Sequence, residues 1–150
     1  MIEVTGNIWR YPADFIVITT NGDINSKSEA VMGRGVALQA ATRYPWIKLA
    51  LARYIRSSGN CLHYILSGDS RIIPPIIAFP VKHHWREKAD LELIAQSAKE
   101  LQIFINMNNV NKELIYVMPK PGCGNGGLSW KEVKPVIEFL PDNVHVIDLN

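Results

Sequence analysis

The chain has 150 residues and a mass of 16.9 kDa, which is the size of one domain and excludes most two-domain enzymes while leaving room for a buried core and a site. Apolar residues make up 47% and charged residues 20%, which excludes a disordered chain, and 10 glycines with 9 prolines exclude collagen-like and low-complexity sequence. A formal charge of +2 is too small to mark a nucleic-acid surface by itself. Cys61 and Cys123 are too few and too far apart for a disulfide framework, which points to a reducing compartment. The opening MIEVTGNIWRYPAD lacks the basic and apolar regions of a signal peptide, and no apolar run approaches the about 20 residues of a membrane helix. The expectation is a soluble, cytoplasmic protein with no membrane partner.

In chain order, Ile2–Thr5 reads as a short strand. Phe15–Thr20 (FIVITT) is apolar and β-branched throughout, as in a strand buried on both faces. Ala37, Ala40, Ala41 and Tyr44 share one helical face. Cys61–Leu66 and Ile76–Val81 read as strands, the latter unable to start before Ile76 because Pro74 and Pro75 cannot donate to a ladder. Leu91, Ile94, Ala98, Leu101 and Ile105 step by three and four, giving the clearest amphipathic helix. Leu114–Met118 and Val144–Leu149 complete the strands. Between them Ser129 and Glu132 form an S-x-x-E capping box before a helix that buries Val133, Ile137 and Leu140. Pro135 implies that this helix is kinked or that its first turn stands apart. There is no repeat and no linker, so residues 1–150 form a single domain. Strands alternating with helices predict an α/β fold with a mainly parallel, covered sheet.

Ligands of such sheets bind where strands lead into helices, and two of these connections are unusual. After FIVITT come Asn21-Gly22-Asp23 and then Met32-Gly33-Arg34-Gly35-Val36 directly before a helix. After LIYVM comes PKPGCGNGG, again directly before a helix, with four glycines in the six residues 122–127. Such a density is entropically costly and signals close backbone contact. Each loop alone also fits an ordinary tight connection; together they suggest a diphosphate held between two backbone clamps, each set at a helix N-terminus. Neither loop matches the P-loop or the dinucleotide-binding fingerprint.

A third segment, FPVKHHWR (79–86), lies at a strand end. Adjacent His83 and His84 diverge, with no third ligand in reach, so no metal is expected. Lys82 reads either as a solvated surface lysine or as a cation or nucleophile beside a ligand. Trp85 reads as a cap on the core or as a base-stacking ring. Cys123, with no histidine near it in sequence, reads as a small residue in a glycine loop rather than a nucleophile.

These segments together resemble a macro domain, the ADP-ribose-binding fold, and the likeness spans essentially the whole chain. Val4-Thr5-Gly6-Asn7-Ile8 resembles the family's V-x-G-D-I opening; MGRGVALQ and PGCGNGGLSW resemble its two phosphate loops. MGRGVALQ, FPVKHHWR and GCGNGGLSW look most like the macro domain of the DNA ADP-ribosylation antitoxin and the terminal ADP-ribose protein glycohydrolase. F-P-x-K-x-H-W-R is the sharpest marker of the antitoxin type. The second loop reads Asn125-Gly126-Gly127, without the aspartate of the protein glycohydrolase, which also favours the antitoxin branch. The resemblance implies a three-layer αβα fold, a mixed, mostly parallel sheet with helices on both faces.

It further implies an ADP-ribose site. Asn7 and Ile8 would lie at the adenine, Asn7 replacing the family's aspartate with an uncharged acceptor. Thr20 and Asn21 would face the distal ribose. Met32, Gly33, Arg34, Gly35 and Val36 would form the first phosphate loop, and Pro119, Gly122, Cys123, Gly124, Asn125 and Gly126 the second. Lys82 would act at the anomeric carbon, as nucleophile or electrostatic catalyst, with Asn21 orienting the sugar. Asp23–Ala30, longer than the antitoxin pattern, would form a lid or alter access.

The function so implied is an ADP-ribosyl glycohydrolase that removes ADP-ribose from DNA, thymidine-linked, or from protein. It needs no cofactor and no metal, and it works as a monomer. The alternatives are a binding module without turnover and a phosphatase on ADP-ribose 1″-phosphate. A local basic patch of Lys82, Arg86 and Lys88 with Trp85 would suit single-stranded DNA; a solvated helix start explains the same residues.

Overall fold

The computed structural model describes residues 1–65, 74–108 and 113–149. Six strands, β1 (Ile2–Gly6), β2 (Phe15–Thr20), β3 (His63–Ile65), β4 (Ile76–Pro80), β5 (Tyr116–Pro119) and β6 (Val144–Leu149), form one sheet in the order β1-β6-β5-β2-β4-β3. Every neighbouring pair is parallel except β3 with β4, which is antiparallel. The helices are α1 (Gly35–Arg43), α2 (Ile47–Ser58), α3 (Leu91–Asn108) and α4 (Trp130–Ile137). No helix among the described residues is long and apolar enough to cross a membrane.

The three layers follow from strand pleat. In β2, Ile16 and Ile18 point to one face and Val17 to the other; in β4, Ile76 and Ala78 oppose Ile77 and Phe79. The first face packs on Val36, Ala40, Ile47, Leu51 and Ala52 of α1 and α2. The second packs on Ile94, Ala98, Leu101 and Ile105 of α3 and on Val133 and Ile137 of α4. Burial on both faces is why these strands read as unbroken apolar runs. Ser97, fully buried on α3, donates to Pro80 O at 2.8 Å and so ties that helix to the carboxyl end of β4.

Three expectations shift in detail. The third strand is shorter than Cys61–Leu66: Cys61 and Leu62 precede it, and Leu66 lies outside the described residues. The first turn of α4 does not stand apart; the helix is continuous but only eight residues long, its capping box is formed, and Pro135 sits in its last turn. Leu140 is buried just beyond the helix end, its N–H donating to Ile137 O. α2 has no counterpart in the sequence reading.

Candidate functional site

The carboxyl ends of β2, β4, β5 and β6 surround a cavity of about 550 Å³, within the range of small-ligand sites. The chain after β2 is braced by Asn21, whose Nδ2 donates to Val31 O at 3.1 Å and whose Oδ1 accepts from Asp23 N–H at 3.0 Å. The 33–36 turn then enters α1. Arg34 is its extended N-cap and supplies no side-chain cap bond, so the first backbone N–H groups of the helix stay available to an anion. Gly35 adopts φ +58°, and a β-carbon there would sit 3.4 Å from Asn125 Nδ2. The first loop thus faces the second across a narrow gap.

The second loop leaves β5 at Pro119 and makes a 3₁₀ turn at Gly124–Gly126. Part of its glycine content serves the protein interior. A β-carbon on Gly122, at φ +78°, would come 2.7 Å from Ile94 Cδ1, and one on Gly126 would come 3.0 Å from Ala89 Cβ. Gly124 meets nothing within 4 Å.

The segment after β4 closes the third side. Val81 N–H donates to Thr20 O, and Ala89 N–H to Gly126 O, which fastens the segment to both β2 and the second loop. Lys82, partly buried, donates from Nζ to Asn125 O at 3.1 Å and to Trp85 O at 3.3 Å. It has no salt-bridge partner among the described residues. Asp23 accepts from Trp85 N–H at 2.8 Å, and its other oxygen lies 2.9 Å from His84 Nδ1. Burial pushes the Asp23 carboxyl up, but the His84 and Trp85 hydrogen bonds outweigh it and hold the group below its ordinary value. His84 is raised, first by its hydrogen bond to Asp23 and then by the charges of Glu87 and Asp23.

Thr20, Asn21, Met32, Gly33, Arg34, Gly35, Val36, Lys82, Pro119, Gly122, Cys123, Gly124, Asn125 and Gly126 all line this one cavity. Asn7 and Ile8 do not. They line a hollow of about 210 Å³ with Trp9, Gln39 and Arg43, adjoining the cavity at Leu149. Asn7 Oδ1 already accepts from Trp9 N–H at 2.9 Å, which leaves the amide one lone pair and both Nδ2 hydrogens. The Ile8 side chain is 1% exposed and belongs to the core, so the hollow meets it mainly as backbone.

Asp23–Ala30 differs from the expected lid. None of its residues lines the cavity. Ile24 bridges Ala30, Ala30 is buried, and Ala30 N–H donates to Lys48 O. The segment is a brace that carries Asp23 to the 83–85 turn. His83 reaches Asp90 at 2.8 Å while His84 reaches Asp23, so the histidines serve different carboxylates. No group of three or more metal-binding side chains occurs among the described residues. Burial pushes the Cys123 thiol up, against the lowering charge of Lys120, the opposite of an activated nucleophile.

Residues the sequence did not single out include Lys120 and Asp148, which line the cavity and pair at 3.7 Å, and Ile147 and Leu149 beside them. Their signal was the carboxyl end of β6, which lies beside that of β5 once Pro119 pairs with Ile147.

No protein-family model matches the chain. The DNA ADP-ribosyl glycohydrolase of Thermus aquaticus is 32% identical over 138 residues, covering 90% of this chain and 36% of the relative. The protein of the same name from Mycobacterium tuberculosis is 30% identical over 145 residues, covering 92% and 39%. The chain therefore spans less than two-fifths of the length of these relatives. Among solved structures, the macrodomain of M. tuberculosis DarG superposes with a TM-score of 0.76 at 30% identity over 98% of this chain and 96% of that one. The macrodomain of T. aquaticus DarG gives 0.72 at 28% identity over 99% and 97%. Loops, layers and full-length likeness agree: the chain belongs to the macro-domain family, among the macrodomains of the DarG type.

Proposed function

We propose that this macro domain binds ADP-ribose and removes it from DNA as an ADP-ribosyl glycohydrolase. The observation that carries this reading is the placement of Lys82. Its ammonium is held by a carbonyl of the second glycine loop and by Trp85 O at the wall of a cavity large enough for a nucleoside diphosphate sugar. The names of the relatives support DNA as the carrier.

In this reading the two loops clamp the diphosphate through backbone N–H groups, and fixing the sugar supplies much of the rate. Lys82 faces the anomeric carbon of the distal ribose. As an ammonium it stabilises the departing base while a water molecule attacks C1″. As a free amine it attacks C1″ itself; the bond to the base breaks, the base leaves with the electron pair and takes up the proton that the amine loses, and water then hydrolyses the ring-opened lysine imine to release ADP-ribose and the free amine. Borohydride added during turnover separates the two roles, since only the covalent route leaves sugar attached to Lys82. The proposed form is a monomer and the proposed setting the cytoplasm.

One observation favours a binding module without turnover. Both ends of the Asn21 amide are spent on the loop, so only one Oδ1 lone pair and one Nδ2 hydrogen remain for the ribose. The test is ADP-ribose release from thymidine-modified single-stranded DNA and from carboxylate-modified protein. Release from DNA in preference to protein is expected. Tight ADP-ribose binding with release from neither would point to the binding module or to the phosphatase, which turnover of ADP-ribose 1″-phosphate separates.

A further inference from the structure

The turn that carries Lys82 also presents an aromatic ring to the mouth of the cavity. Trp85 lines the cavity and is 45% exposed. The other three tryptophans are partly buried. Trp9 donates to Gln39 at 2.7 Å, Trp130 donates to Glu3 at 2.8 Å, and Trp46 packs against the core beside Tyr44. The Trp85 indole N–H has no hydrogen-bond acceptor among the described residues. A large apolar ring left in water forgoes the burial that normally stabilises it.

Its backbone, by contrast, is fixed from both sides. Trp85 N–H is held by Asp23 at 2.8 Å and Trp85 O by Lys82 Nζ at 3.3 Å. The Arg86 guanidinium lies 4.8 Å from the ring centroid, which adds a cation to the stack. The carboxylates of this turn, Asp23, Asp90 and Glu87, lie beside His84, His83 and again His84. Arg86 has no carboxylate partner among the described residues, whereas the charge of Lys88 acts on Glu132, so the guanidinium is free to back the ring.

We propose that Trp85, backed by Arg86, is the stacking platform for the nucleobase joined to the distal ribose, the base that leaves when the glycosidic bond breaks. The proposal rests on the glycohydrolase reading. A group bonded to the anomeric carbon next to Lys82 must lie beside the segment that carries both side chains. A carboxylate-linked protein side chain offers that ring nothing to stack on; a planar base does, and stacking tolerates different sequences around it. The platform makes Trp85 a specificity-determining residue, distinct from the loops that hold the diphosphate.

The experiment compares kcat/KM of the wild type, Trp85→Ala and Trp85→Phe on two substrates, ADP-ribosyl-thymidine nucleoside and a single-stranded oligonucleotide bearing the same linkage. The affinity of each for free ADP-ribose is measured alongside. The expected result is a loss of about 10-fold or more for Trp85→Ala on both substrates, as for one lost base stack. That loss should exceed any loss in ADP-ribose affinity at least about fivefold, and Trp85→Phe should restore most of it. Loss on the oligonucleotide alone would overturn the proposal, because the ring would then hold a neighbouring base. Equal losses for substrates and free ADP-ribose would overturn it too, as would no loss. A wild type inert on both substrates would instead remove the glycohydrolase reading, and the platform with it.

Discussion

Asn21 and Gly122 show how single residues are committed before any ligand arrives. Asn21 bridges Val31 and Asp23, so Asn21→Ala should loosen the first loop as well as the sugar contact. It is expected to weaken ADP-ribose binding as measured by calorimetry, and to lower the melting temperature; a loss of binding with unchanged stability would show that the amide serves only the ligand. Gly122→Ala places a methyl group 2.7 Å from Ile94 Cδ1 in a backbone that favours glycine. The expected cost is about 1–3 kcal/mol in denaturant unfolding. The Asp23–His84 pair adds a pH dependence of definite sign. His84 is raised, so its contribution is full below its ordinary value of 6.5 and is lost as pH rises through the folded value. Asp23 is lowered, so its contribution is present above 3.8 and is lost as pH falls through the folded value. The pair is strongest between those ordinary values. The melting temperatures of wild type and His84→Ala should differ more at about pH 5.5 than at about pH 8.5. The reverse order would contradict the assignment.

At the scale of elements, what the sequence showed and what it hid have separate causes. β2 and β4 were legible because burial on both faces leaves unbroken apolar runs, and α3 because its period is clean over 18 residues. α2 was hidden although Ile47, Leu51 and Ile55 step by four and Gly59 follows its end at φ +88°. Its other positions mix Leu49, Ala50, Ala52 and Tyr54 with lysine, arginine and serine, so the 47, 51, 55 stripe did not stand out from its background. The glycine loops stood out by composition, whereas the Lys120–Asp148 pair needs the β5–β6 register, which no local pattern carries. The Ser129 cap was legible because the motif is local. Ser129 Oγ accepts from Glu132 N–H, and Ser129 N–H donates to Glu132 Oε2 at 2.8 Å. Ser129→Ala should cost about 1 kcal/mol in chemical denaturation. A change below a few tenths would mean that packing, rather than the cap, sets the helix start.

For the whole molecule, the parallel strands of the sheet bring four carboxyl ends to one rim, and the rim supplies clamps, lysine and aromatic ring from segments far apart in sequence. His83 and His84, which diverge along the chain, bond Asp90 and Asp23 and so brace the turn that presents Lys82 and Trp85. The proposed activity makes Lys82 the acting group in cleavage of a ribosyl bond at this rim. Its most direct measurement is the single-turnover rate of ADP-ribose release from thymidine-modified DNA by wild type and Lys82→Ala, with ADP-ribose affinity measured on the same preparations. The expected result is a rate loss of about 100-fold or more with affinity kept within about fivefold, the mark of an interaction made mainly in the transition state. A Lys82→Ala protein that releases ADP-ribose at the wild-type rate would contradict it.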